Sequence, residues 1–214
     1  MKTKFKQFFI LTNILFLSFS SLLHAQTKYK ISDSKEIKMK LSGTSTLHDW
    51  EMNTRTVAGE AQFRFKNGNI NQLTALDNLT FSLAVLNLKS DNKELDKNAY
   101  KALKTEQYKF ISYKLISSIV TALTKNAYRL KTQGNLTVAS VTKEIIMDVI
   151  CHVKNNETIV CNGTYQLNMT DFNVKPPSFM LGAMKTGEMI TLEFNMIYQK
   201  LTGLPTINTK LNKL

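Results

Sequence analysis

The sequence contains no apolar run long enough to cross a membrane as a helix. Its longest run, residues 8–17, is about half of the ~20 residues that a membrane-spanning helix requires. Lys2, Lys4 and Lys6 precede this run, and a segment rich in small residues follows it as far as Ala25. This layout is typical of a secretory signal peptide. We therefore predict that residues 1–25 are a signal peptide, and that the mature protein is soluble and periplasmic.

Acidic residues are scarce, since 16 Asp and Glu stand against 28 Lys and Arg, and the formal charge is +12. Removing residues 1–25 with their three lysines leaves 189 residues and a charge of about +9, which suits one domain of ordinary size. The lysines are scattered rather than gathered in a run, and export argues against nucleic acid as a partner. Two interpretations stay open, a solvated basic surface and weak attraction to anionic lipid head groups.

Cysteine is limited to two residues, Cys151 and Cys161, and neither follows the N-terminal apolar run as a lipoprotein anchor would require. If the chain turns in a three-residue loop centred on Asn156, the two cysteines lie directly opposite each other on neighbouring strands. They could then form a disulfide, which persists in an exported protein. Two free buried thiols are the alternative. No cluster of further ligands accompanies them, so we expect no metal.

Only two histidines remain after export, so few histidines could act as a general acid or base. His48 lies in the hydroxyl-rich segment 42–50, which also contains the only tryptophan, Trp50. A hydrolase using Ser45, His48 and Asp49 can be imagined, but adjacent side chains on a strand point to opposite faces. The chain has no nucleophile elbow, glycine-rich phosphate loop or zinc motif. We predict that it is not an enzyme and has no cofactor, and that His48 is either satisfied at a barrel end or donates to a ligand.

Apolar and polar residues alternate with a period of two along most of the mature chain, which is typical of half-buried antiparallel strands. The pattern recurs in the segments 37–41, 61–66, 79–85, 111–115, 145–151, 165–169 and 190–198. Turn signals separate several of these segments at residues 66–69, 126–127 and 155–156. Many short strands with little helix indicate a mainly all-β fold, either a sandwich or a closed barrel.

One segment does not show this two-residue alternation. Asp91 followed by Glu94 is typical of a helix cap with its capping-box partner. Leu95, Ala99 and Leu103 then recur at helical spacing. We predict one helix over residues 92–105, which either crosses between two strands or covers one end of a barrel.

An apolar loop is predicted over residues 169–184. Two adjacent prolines exclude a central strand there, yet the segment carries Phe172, Phe179 and Met184. Such a loop would be a liability if it were exposed to water. We expect it to fold over a barrel mouth or to line a pocket, where methionine suits an irregular apolar guest. A loop that plugs a filled core is the alternative.

Four motifs, in order along the chain, resemble those of the YceI-like proteins. They are GTSTLHDW at 43–50, NAYKALK and YKFISY within 98–113, GNLTV and VTK within 130–143, and MTDF with PP and a glycine within 169–182. The sequence departs from the family's motifs at Lys109, where a proline is common, and at Ala139-Ser140, where the second residue is commonly glycine. The resemblance implies an extended lipocalin-like antiparallel barrel over residues 26–200, with an inserted helix and an apolar tunnel, followed by a tail at 201–214.

Members of this family bind polyisoprenoids or isoprenoid quinones in the periplasm, so the resemblance implies an isoprenoid lipid or quinone as the ligand. We predict a protein that holds such a ligand for transport, storage or protection. A non-catalytic structural or interaction module with a filled barrel is the alternative. The sequence leaves open whether the protein forms a homodimer. Inward-facing candidates for ligand contact are Phe63, Phe81, Leu83, Val85, Tyr113, Met147, Tyr165, Leu192, Phe194 and Met196. Candidates at the mouth are His48, Trp50, Asp171, Phe172, Phe179 and Met184.

Overall fold

The computed structural model of the protein describes residues 27–66, 69–155, 157–179 and 184–201. The predicted signal peptide and nearly all of the predicted tail lie outside these residues. Within them the chain forms eleven strands and one α-helix. No helix of the described part is both long and apolar enough to cross a membrane.

In chain order the elements are β1 (Thr27–Ile31), β2 (Lys38–Ser45), β3 (Trp50–Thr54), β4 (Ala58–Lys66), β5 (Asn69–Ala84), α1 (Lys93–Ala102), β6 (Phe110–Ala122), β7 (Ala127–Val138), β8 (Val141–Val153), β9 (Thr158–Asn168), β10 (Ser178–Phe179) and β11 (Met184–Lys200). Two short 3-10 turns occupy Val85–Asn87 and Met169–Phe172.

Eight strands close into an antiparallel barrel in the order β1-β4-β5-β6-β7-β8-β9-β11, with β11 returning to β1. β11 closes the barrel. It pairs with β9 along one edge, and two other strands share its opposite edge. Its end pairs with β1, and its earlier part pairs with β2 of the β2–β3 hairpin. A bridge between Asn53 and Lys89 then joins this hairpin to the chain beyond β5. This arrangement confirms the predicted lipocalin-like barrel with one inserted helix.

The two-residue alternation decides which side chains face the barrel interior. β7 shows it clearly, because Leu130, Leu136 and Val138 are buried while the intervening Lys131 and Asn135 are exposed. Burial of such apolar rows is favourable by about 25 cal/mol per Å². The core of the protein is therefore the inner face of the barrel wall.

The helix begins and ends at other residues than predicted. Its N-cap is Asn92 and not Asp91, since the Asn92 side chain accepts hydrogen bonds from the backbone N–H groups of Glu94 (2.9 Å) and Leu95 (3.2 Å). Glu94 is then only two residues from the cap, so the predicted capping box is absent. The helix ends at Ala102 rather than at residue 105, because Lys104 adopts the left-handed conformation (φ 52°) that commonly terminates helices.

At Ala139-Ser140, where the second residue of the family motif is commonly glycine, the chain still forms a tight turn. Val138 pairs directly with Val141, so the two residues between them form the whole loop of the β7–β8 hairpin. Both have positive φ, 46° and 74°, as a type I′ turn requires. For residues with a side chain, this conformation costs about 1–2 kcal/mol each. The turn is therefore a site of local strain.

Ser140→Gly should raise the free energy of unfolding by about 0.5–1 kcal/mol, because glycine adopts positive φ without a steric penalty and exposed Ser140 has little packing to lose. Urea denaturation measures the change. Ser112→Gly is the matched control, since Ser112 lies in β6 and does not have positive φ. The control should be destabilised. A loss of stability in both variants would contradict the strained turn.

Candidate functional site

The interior of the barrel contains a cavity of about 710 Å³. This volume lies within the ~300–1,000 Å³ typical of pockets for small molecules and cofactors. Its wall is mostly leucine, methionine, isoleucine, valine and phenylalanine side chains from the barrel strands. A barrel filled by its own side chains would leave no such space. The site is therefore an apolar container rather than a solid core.

The cavity has a mouth at one end of the barrel and a deep end opposite it. The exposed residues that line it come from the β2–β3 connection, the start of β3, the chain at the start of α1, and the start of β11. They are Leu47, His48, Glu51, Asp91, Asn92, Glu94 and Lys185. Lining residues at the deep end, such as Phe63, Leu130 and Tyr198, are buried. Among the described residues, the mouth thus carries three carboxylates and one lysine.

Helix α1 connects β5 to β6 and also covers part of this mouth, so both predicted placements apply. Leu95 and Ala99 of its predicted apolar stripe line the cavity, as do Ala102 and Leu103 beside them. The buried Asp96 carboxylate of the helix accepts hydrogen bonds from Ser90, at 2.8 Å from the backbone N–H and 2.7 Å from the hydroxyl. The helix is therefore fastened to the segment that follows β5.

Three aromatic side chains lie along the cavity wall, each over a glycine of the neighbouring strand. The pairs are Trp50 with Gly43, Tyr113 with Gly134, and Phe194 with Gly163. A Cβ atom would come within 2.5 Å of the ring at Gly43 and 2.8 Å at Gly163, and at Gly134 it would overlap the ring. Aromatic rings commonly cover strand glycines in this way. Because the rings lie over glycines, they line the cavity without filling it.

Three aromatic residues, Tyr29, Phe63 and Tyr198, form a cluster at the deep end. Phe63 packs edge-to-face on Tyr29, with ring centroids 5.4 Å apart, and on Tyr198, at 5.7 Å. Burial raises the pKa of Tyr198 well above its usual range, and the nearby Tyr113 raises it further. Burial likewise raises the pKa of Tyr29. Both phenols are therefore neutral.

The two cysteines also lie beside the deep end. Cys151 and Cys161 are directly opposite each other on β8 and β9, and a disulfide joins them. Both line the cavity. A loop of this length stabilises the folded state by about 2–3 kcal/mol in the chain-entropy model. The bond therefore fixes two wall strands at the point where the cavity ends.

Most of the residues predicted for ligand contact line this cavity. They are Phe63, Phe81, Leu83, Tyr113, Met147, Leu192, Phe194, Met196, His48, Trp50 and Phe172. The side chains of Phe179 and Met184 lie outside the described part of the structure. The backbone at these two positions forms the pairing of β10 with β11.

Three predicted residues do not line the cavity. Val85 is buried, but it belongs to the 3-10 turn after β5, where strand alternation stops. Asp171 is exposed on the 3-10 turn whose other face buries Phe172. Tyr165 is half-buried in the inward row of β9. Burial is the larger cause of its raised pKa, and the Asp171 carboxylate is the smaller one. Tyr165 therefore lies beside that turn.

Sequence reasoning missed a large part of the wall, including a row on β7. Leu130, Leu136 and Val138 line the cavity, and their alternation with polar neighbours is visible in the sequence. Thr132 belongs to the same row by its position two residues after Leu130, although its side chain is polar. The alternation of β7 was the signal that could have found this row.

The contacts of Ser45 differ from those of a catalytic serine. Its hydroxyl donates to the backbone carbonyl of His48 at 2.6 Å and accepts from the backbone N–H of the same residue at 3.3 Å. Both bonds involve the His48 backbone, which shapes the turn between β2 and β3. Within the described ranges, no three His, Cys, Asp or Glu residues come together as a metal site would require.

Similar folds are known among solved structures. The polyisoprenoid-binding domain from Saccharophagus degradans matches with a TM-score of 0.59 at 7% identity, over 81% of this chain and 98% of that one. BcnA from Burkholderia cenocepacia gives 0.57 at 13%, over 78% and 98%. The YceI protein of Campylobacter jejuni gives 0.53 at 15%, over 71% and 84%. At such identities the likeness concerns the fold. Comparison with curated proteins finds no match.

The family model of the YceI-like domain matches residues 24–198, which is most of the chain. The match covers the helix at the mouth and all the barrel strands except the last two residues of β11. It agrees with the four motifs found in the sequence. The protein therefore belongs to the YceI-like family.

Proposed function

We propose that this protein is an exported binding protein, which holds a long apolar ligand, an isoprenoid lipid or quinone, without changing it chemically. The observation that carries the proposal is the apolar cavity inside the barrel, whose exposed lining residues lie at one end. An isoprenoid chain gains about 25 cal/mol for each Å² of apolar surface that leaves water. The structural likeness to a domain described as polyisoprenoid-binding supports the same ligand class.

The lining of the cavity suits a branched and flexible chain. Five methionines of the described part line it, namely Met39, Met52, Met147, Met169 and Met196. Methionine side chains are unbranched and polarizable, so they adapt to irregular apolar shapes. We assign ligand contact to the predicted residues that line the cavity, with Phe81, Leu192 and Phe194 on the wall and His48 and Trp50 at the mouth.

We further propose that the protein acts in the periplasm, to carry, store or protect its ligand. The N-terminal basic and apolar segments support export. The disulfide is compatible with an oxidising compartment. A barrel with such a cavity would shield an isoprenoid from water between a membrane and another site.

Native mass spectrometry of protein exported and purified without detergent tests the proposal. We expect a stoichiometric adduct that organic extraction releases and identifies as an isoprenoid. The same sample sprayed under denaturing conditions is the control and should show the bare mass of the chain. A bare native mass that does not change after incubation with isoprenoid alcohols and quinones would contradict binding and favour an interaction module. The native spectrum also tests the homodimer.

A further inference from the structure

One polar group inside the apolar cavity makes no internal hydrogen bond. The Tyr113 side chain lines the cavity and is only 6% exposed, and its hydroxyl has no hydrogen-bond partner among the described residues. Buried hydroxyl groups in folded proteins are nearly always paired, because an unpaired one costs folding free energy. An orphaned hydroxyl that faces a ligand cavity is therefore available to the ligand.

The position of this hydroxyl is held by the barrel wall. Tyr113 pairs with Leu136 on β7, but its ring lies over Gly134, two residues closer to Thr132. The ring is therefore directed along the wall, away from the β7–β8 turn. Tyr113 is also close enough to Tyr198 of the deep-end cluster to raise the pKa of that phenol. The hydroxyl thus lies toward the deep end of the cavity and not at the mouth.

The Thr132 hydroxyl lies close to Tyr113 but does not pair with its hydroxyl. Thr132 is buried and lines the cavity, and its hydroxyl donates to the Met147 carbonyl at 3.2 Å. Burial raises the pKa of Tyr113, while the proximity of the Thr132 hydroxyl opposes that rise. The two hydroxyls are close, but their geometry does not form a hydrogen bond. Tyr113 therefore remains a neutral donor without an acceptor.

The charges around the cavity decide what kind of acceptor fits. All charged residues that line it, within the described ranges, are at the mouth: Glu51, Asp91, Glu94 and Lys185, together with the titratable His48. A phosphate or carboxylate placed beside Tyr113 would be a buried charge without a counter-ion, which is very unfavourable. A neutral oxygen needs only the hydrogen bond that Tyr113 offers.

We propose that the Tyr113 hydroxyl donates a hydrogen bond to a neutral terminal oxygen of the isoprenoid ligand, so that the ligand lies with its oxygen-bearing end deep in the barrel and its hydrocarbon tail toward the mouth. This inference rests on the proposed function and adds the orientation of the ligand. The oxygen is either the hydroxyl of an isoprenoid alcohol or a carbonyl of an isoprenoid quinone, since both accept the same hydrogen bond.

The test compares Tyr113→Phe with the wild-type protein by titration with geranylgeraniol, with a menaquinone of equal side-chain length, and with the hydrocarbon that has the geranylgeraniol skeleton without its oxygen. Tyr113→Phe keeps the ring over Gly134 and removes only the donor. We expect the affinity for at least one oxygen-bearing probe to fall roughly 3- to 10-fold. Affinity for the hydrocarbon should be unchanged, which also shows that the variant cavity is intact.

Tyr165→Phe is the matched control, because Tyr165 is on the inward row of β9 but does not line the cavity. It should leave all three affinities unchanged. A loss confined to the alcohol identifies a hydroxyl as the acceptor, and a loss confined to the quinone identifies a carbonyl. Equal effects on all three probes, or none, would overturn the inference while leaving the proposed function intact. A wild-type protein that binds none of the probes would overturn both.

Discussion

Phe81→Asp should lower the affinity for an isoprenoid by at least about 100-fold. Phe81 lies within β5, pairs with Tyr113 on β6, and lines the cavity. A carboxylate at this position keeps its hydration shell in the empty protein, and an apolar ligand would have to strip it away. Desolvation of an unpaired charge costs several kcal/mol, and each 1.4 kcal/mol is about tenfold in affinity. Native mass spectrometry and titration with geranylgeraniol both measure the loss.

Thr80→Asp is the control for this experiment, because Thr80 is the preceding residue on the same strand and points to the opposite face. It is exposed between Glu60 of β4 and Lys114 of β6, so the added charge stays in water. The control should retain its ligand, and its urea midpoint should match that of the wild type within a small margin. If both variants keep the ligand equally well, the binding site is not the interior of the barrel.

Residues such as Phe81 could be predicted because strand alternation is a local property of the sequence. A period of two sorts the side chains of one strand into two faces, and burial of the apolar face follows. The same rule misplaced Val85, since β5 ends at Ala84 and the chain enters a 3-10 turn where the period no longer applies. Alternation assigns Thr132 to the inward face of β7 by position, but its polar side chain gave no sign that it belongs to an apolar wall.

The shape of the cavity could not be predicted, because it depends on pairing between distant strands. Gly163 lies opposite Phe194 only in the register that β9 and β11 adopt, and this register places a ring over a glycine. The closure depends in the same way on β11, which pairs with β2 at one end and with β1 at the other. The family resemblance implied a barrel with a tunnel. It did not contain the contacts that keep this one open.

Phe63→Ala should lower the free energy of unfolding by about 3–5 kcal/mol, the usual cost of removing a fully buried phenylalanine. Phe63 is 1% exposed and packs against both tyrosines of the deep-end cluster. Phe65→Ala is the control, since Phe65 is on the same face of β4 but is only half-buried and does not line the cavity. It should cost clearly less. Similar losses in urea denaturation would mean that the cluster contributes no special packing.

The same variant tests the orientation of the ligand independently of Tyr113→Phe, because Phe63→Ala adds space behind the deep end. If the oxygen is held at Tyr113 and the tail faces the mouth, the tail cannot reach this space. The variant should then select the same chain lengths as the wild type from a mixture of isoprenoid alcohols, read by native mass spectrometry. If the tail instead fills the deep end, longer chains should bind better to Phe63→Ala and partly restore its stability. A shift toward longer chains would therefore contradict the inferred orientation while supporting the cavity as the binding site.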